Sequence, residues 1–131
     1  MDARNFITIG MTAERLYTVA HERTVQHFVP SMPAVYATPM MILDMELTAG
    51  DAVTPHLPDG FVTVGTMVDI RHLAATPVGR VVRTVATVTD IHRKIITFDV
   101  VAFDGERKIG DGRHGRGVVN VADFKTRFDV M

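Results

Sequence analysis

From Phe61 to Val121 the chain reads as strand after strand, and nothing between its turns has the length or spacing of a helix. "FVTVGTMVDIRHL" puts Val62, Val64, Thr66, Val68 and Ile70 on one face and Thr63, Asp69 and Arg71 on the other. The break "AATPVG" separates it from "RVVRTVATVTDIH", whose valines and threonines suit a strand. A turn near Arg93–Lys94 leads into "IITFDVVAFD", Asp104–Gly105 is a hairpin signal, and a glycine-rich basic strand runs from Arg107 to about Val121. Strands that do not alternate with helices argue against a doubly wound parallel sheet and predict an antiparallel meander.

Upstream, the period changes. Leu16–Ala20 and Thr24–Phe28 read as short β segments, followed by a proline-punctuated loop, "VPSMP". Thr38 suits an N-cap and Pro39 the first helical position, so a helix is predicted from there to about Val53, closed by Pro55 and "PHLPDG". This helix must bury its apolar stripe against the sheet, which gives an α+β fold. One helix does not cover a long curved sheet, so a homodimer, or a higher homo-oligomer, is expected.

Composition narrows the function. The 131 residues fit a single domain, 1–131, with 47% hydrophobic and 22% charged residues. A net charge of −1 gives no electrostatic reason to expect a nucleic-acid or membrane partner. Without cysteine there are no disulfides, thiolate metal sites or thiol nucleophiles. No membrane-length apolar run or signal-peptide layout is present, and a cytoplasmic protein is expected.

Glu46 is the puzzle of the helix. At about 100° per residue, Asp44, Thr48 and Asp51 share a predicted wet stripe, and Glu46 falls roughly 200° from Asp44, beside Ile42, Ala49 and Val53. A buried carboxylate has to be paired, hydrogen-bonded or protonated. His72 closes the apolar face of the Phe61 strand and could meet Glu46 or Thr38, in its own chain or in a partner. Carboxylate, imidazole and hydroxyl together can activate a nucleophile or a water. Each also has a plainer reading: Thr38 as a cap, His72 as a structural strand end.

Other features carry less. "GDGRHG" matches a dinucleotide-site spacing but opens no helix, so its glycines are expected to serve bends or close approach. The six histidines form no H-x-x-x-H or H-x-H pair, and no metal or cofactor is expected. Arg107, Lys108, Arg113, His114 and Arg116 could hold a phosphate or could simply charge an edge strand. Met40, Met41 and Met45 fit adaptable core or pocket lining.

The segments "VYATPMMILDME", "VGTMVDIRHLAATPVG" and "IGDGRHGRGVVNVADFKTRF" resemble the hotdog-fold acyl-CoA thioesterases, and among them the fluoroacetyl-CoA thioesterase group, over nearly the whole chain. The resemblance implies one long helix wrapped by a curved antiparallel sheet, hydrolysis of an acyl-CoA substrate, and Thr38, Glu46 and His72 as the catalytic set. It also implies that Gly65 and Arg116 contact the substrate. The segment before Thr38, "FVPSMPAVYATP", is shorter than in that group and has Tyr36 as its nearest aromatic. It thus implies a general thioesterase acting on a short or medium acyl-CoA, without the lid that selects a fluorinated acyl group. The alternative is a non-catalytic hotdog protein that binds acyl-CoA or CoA.

Overall fold

In the computed structural model, residues 1–128 are described. Five strands, β1 (Thr12–Thr18), β2 (Phe61–His72), β3 (Val81–His92), β4 (Ile95–Asp104) and β5 (Arg107–Asn120), form one antiparallel sheet. A one-turn helix α1 (Val25–Phe28) precedes the long helix α2 (Thr38–Val53), and α3 (Val121–Phe128) follows β5. The sheet packs on α2, chiefly through β1 and β3, as the hotdog arrangement requires. Among the described residues no helix is long and apolar enough to cross a membrane.

The strand order, β1-β3-β4-β5-β2, corrects the expected meander. Only β3, β4 and β5 are joined by tight hairpins, with Arg93 (φ 55°) and Gly105 (φ 60°) supplying the left-handed turn positions. The connection carrying "AATPVG" is no hairpin. It takes the chain from β2, on one edge of the sheet, to β3 near the other. β5 is accordingly interior, so its basic residues do not lie on an edge strand.

Of Thr24–Phe28 only Thr24 is extended; Val25–Phe28 is helical. Its neighbours offer it only a single bridge, Thr24 to Tyr36, and the turn closes locally when the Val29 N–H donates to the Val25 carbonyl at 2.9 Å. A strand without a ladder has nothing to stabilise it.

The faces of α2 also differ from expectation. Met41, Asp44, Met45, Thr48, Ala49, Ala52 and Val53 are buried, Glu46 is half-buried, and Leu43 and Leu47 are 39% and 41% exposed. The predicted wet stripe assumed that an acid faces water. Asp44 and Thr48 in fact point inward because each has buried partners: Thr48 Oγ1 lies 2.6 Å from Thr84 Oγ1 and donates to the Asp44 carbonyl at 2.7 Å.

β2 does not keep one face. A bulge between Gly65 and Met67 shifts its register against β5 by one residue, which exchanges the two faces beyond it. Thr63 is buried while Val62 is exposed, and past the bulge Ile70 and His72 face the helix. The bulge is what lets Gly65 and His72, seven positions apart, both face α2.

Candidate active site

Helix α2 starts at Thr38 with Ala37 as its cap residue, and no side chain caps it. The Thr38 hydroxyl is therefore not spent on the helix, contrary to the capping expectation. It sits 2.7 Å from His72 Nδ1. His72 is the last residue of β2 and pairs across the ladder with Gly110. A Cβ on Gly110 would lie 2.6 Å from Met41 Sδ, so glycine there is what allows β5 to approach the first turn of α2 closely. Gly112 is tighter still: a Cβ would fall 2.1 Å from the Asp69 carbonyl oxygen. The "GDGRHG" glycines thus serve close approach, as expected.

Burial holds the His72 pKa below its ordinary value, although the Ala74 backbone opposes it. Its Nε2 is buried and has no hydrogen-bond partner among the described residues. A neutral imidazole with one nitrogen on a hydroxyl and the other uncommitted can move protons near neutral pH. Tyr36 packs edge-on against it, ring centroids 6.3 Å apart and planes at 80°. Tyr36, Thr38 and His72 line one cleft of about 340 Å³ together with Val25, Val35 and Leu73.

Glu46 belongs elsewhere. It stands eight residues along α2 from Thr38, a rise of ~12 Å. It lines a second cleft, of about 520 Å³, with Arg15, Leu47, Asp51, Thr54 and Arg116. A Cβ on Gly65 would be 3.4 Å from Glu46 Oε1 and 3.4 Å from His114 Cε1, so the bare glycine keeps space open beside the carboxylate. The expectation of a dry acid on the buried face is corrected to a half-buried acid at a cleft. Within one protomer it is not hydrogen-bonded to His72.

Arg116 pairs with Gly65 across the ladder. Its guanidinium donates to Thr63 Oγ1 and to the Thr63 carbonyl, each at 2.8 Å, and Nη1 is 3.1 Å from His114 Nε2. Because arginine only donates, His114 Nε2 must accept, which leaves Nδ1–H to donate to the Met67 carbonyl at 2.8 Å. His114 is fully buried and stacks on Phe98. Burial lowers the pKa of both His114 and Arg116. Arg116 thus brings a fixed positive charge to the Glu46 cleft.

The structural part of His114 and the group around Asp44 do not follow from the spacing of the acids and histidines in the sequence. Asp44 has no exposed surface; it accepts from the Tyr36 hydroxyl and from Arg23, which forms an ion pair with it. A signal for it did exist: a helical period counted from Met41 and Met45, instead of from the acids, places Asp44 inside. Among the described residues no group of three or more His, Asp or Glu side chains is arranged to hold a metal ion.

These features coincide with what the chain is similar to. The five-stranded sheet wrapped on one long helix is a hotdog architecture, and the Thr38–His72 contact lies at the start of that helix. Residues 19–122 match the family model for fluoroacetyl-CoA-specific thioesterase, and the chain belongs to that family. The fluoroacetyl-CoA thioesterase of Streptantibioticus cattleyicolor is 32% identical over 117 residues, covering 85% of this chain and 84% of that protein. A solved structure of the fluoroacetyl-CoA thioesterase FlK superposes with a TM-score of 0.87 at 29% identity, covering 94% of this chain and 96% of the other. A thioesterase superfamily member from Thermus thermophilus gives 0.86 at 30% identity, covering 94% and 91%.

Proposed function

We propose that this protein hydrolyses a short or medium acyl-CoA thioester to the free acid and CoA, with Thr38, His72 and Glu46 as the reacting groups. The observation that carries the reading is the 2.7 Å contact between Thr38 Oγ1 and a buried, partly uncommitted His72 imidazole. Family membership supports thioester chemistry at that pair. Glu46 either attacks the thioester carbonyl or acts as base on a water. His72 carries the proton and keeps the Thr38 hydroxyl or the water nucleophilic. The bulge at Gly65–Met67 interrupts the ladder, and its backbone N–H groups, with the α2 N-terminus, suit a developing oxyanion. Arg116 meets the substrate from the Glu46 side.

The two halves of this set need a second chain. Thr38 and His72 occupy one cleft and Glu46 and Arg116 another. β2 is an edge strand, and beside it Leu43, Leu47, Met67 and Val68 expose apolar surface. Pairing of two β2 edges across a twofold axis would cover that surface and bring the Glu46 half of one protomer to the His72 half of its partner. The reading is thus a cytoplasmic homodimer of single-domain chains, 1–131, of which 129–131 lie outside the described residues.

The test is CoA release from acetyl-, propionyl- and longer acyl-CoAs by the parent, Glu46→Gln and His72→Ala proteins. The proposal expects turnover by the parent and its loss in both variants. Parent-rate hydrolysis in both refutes the assignment, and stoichiometric binding without turnover would make the protein a CoA or acyl-CoA binder instead.

A further inference from the structure

Asp44 is an acid with no exposed surface on a helix whose exposed row is Leu43 and Leu47. Burial, the largest influence, pushes its pKa above the ordinary carboxylate range even though Tyr36 and Arg23 hydrogen-bond to it. An acid whose folded pKa is raised binds more protons folded than unfolded, so its ionisation costs stability as pH rises through that window. Buried ion pairs of this kind are commonly replaced by apolar residues of similar volume without loss of stability. The charge of Asp44 is held at a cost, and its partners show what it holds in place.

Its connections point to the active site. Tyr36, whose hydroxyl donates to Asp44, is two residues before Thr38, and its ring lies edge-on to His72. The same corner of backbone is tied twice more. The Ala37 N–H donates to the Arg23 carbonyl at 3.0 Å, and the Tyr36 N–H donates to the Thr76 carbonyl, in the turn after His72, at 2.8 Å. Among the described residues His72 has one side-chain partner, Thr38, and its Nε2 has none, so its ring orientation depends on what packs against it. We infer that Asp44 is a positioning residue: by holding the Tyr36 hydroxyl it fixes the Tyr36 ring against His72 and keeps the imidazole on Thr38. This rests on the reading that hydrolysis runs through Thr38 and His72.

Tyr36→Phe keeps the ring and removes only its tie to Asp44; Asp44→Asn weakens the tie from the other side. The readouts are kcat and KM on acetyl-CoA and the side-chain nitrogen resonances of His72, in protein shown to be folded. The expected result is a kcat lower by roughly ten- to a hundredfold, as a slightly misplaced reacting group gives. KM should stay within about twofold, and the His72 nitrogens should move toward the average of the two tautomers. Parent kcat and parent His72 resonances in folded Tyr36→Phe would overturn the inference, and so would a lower Tm with kcat unchanged. Should Asp44→Asn fail to fold, Tyr36→Phe decides. A parent protein that releases no CoA would refute thioesterase activity alone, because the ring resonances still report whether Asp44 holds the imidazole.

Discussion

The Thr38 hydroxyl lies 2.7 Å from Nδ1 of His72, a residue 34 positions later in the chain. Neither element places this contact alone. Helix α2 leaves the hydroxyl uncapped, the β2 bulge sets His72 on the inner face, and Gly110 lets that end of the sheet come close enough. Each of the three is a local choice of residue or register, and loss of any one separates the pair.

Removing either member should lower turnover without unfolding the chain, since Thr38 is exposed and His72 half-buried. For His72→Ala, kcat is expected to fall on the order of 10²–10⁴, the usual weight of a positioned acid–base group. Thr38→Val keeps the shape and deletes the hydroxyl, and should fall with it, whereas Thr38→Ser should retain the larger share of activity. Steady-state CoA release checks all three, and parent-like Thr38→Val would confine Thr38 to a packing role.

Glycine positions separate architecture from chemistry. Gly112→Ala would drive a Cβ to 2.1 Å from the Asp69 carbonyl, a backbone atom that cannot swing aside. The loss in stability is expected to be at least about 3 kcal/mol, in the severe range for single substitutions, measured by denaturant unfolding. Gly65→Ala meets the Glu46 carboxylate and the His114 ring at 3.4 Å, contacts that a small shift relieves. That variant should fold but hydrolyse substrate more slowly, and equal Tm losses in the two would contradict the distinction.

What could be read in the sequence was whatever depends on local period and punctuation. The bounds of α2, the hairpins at Arg93 and Gly105 and the span of β2 came from alternation, proline and glycine. Local pattern marks Thr38 as a helix start and His72 as the polar end of an apolar strand face; only the family resemblance marks the two, with Glu46, as a catalytic set. The strand order was not legible, because nothing in "AATPVG" says which edge the chain crosses to. The bulge was hidden for a related reason: one unpaired residue leaves no mark in a run of alternating valines, yet it reverses every face after it. Asp44 misled because its partners, Arg23 and Tyr36, are distant in the pattern and join it only when the helix docks.

Two histidines set an acid limit. Burial lowers the pKa of both His72 and His114 in the folded chain. Below the ordinary histidine value of about 6.5 the unfolded chain takes up protons that the folded one resists. The neutral rings therefore contribute stability that is fully present above that value and is lost as pH falls below it. Tm should drop between roughly pH 6.5 and 5, and a buried-neutral replacement such as His114→Gln should flatten that drop. Asp44, whose raised pKa acts in the opposite sense, is common to both proteins, so an acid drop in Tm left unchanged by His114→Gln would show that this ring does not carry it.

The exposed row of α2 gives the last prediction. Leu43 and Leu47 are 39% and 41% exposed, one turn apart, on the long helix α2, and Glu46 lies between them on the neighbouring row. A solitary exposed leucine needs no explanation, but two a turn apart on one face form an apolar row that a partner would bury. Leu47→Glu puts a charge into that contact and removes nothing from the core of its own protomer. The expected outcome is a monomer by sedimentation with CoA release reduced at least about a hundredfold, because the proposed reading pairs Glu46 with an imidazole across the dimer. A monomeric variant with parent turnover would place the whole reaction within one chain, and a dimeric one would put the interface on another face.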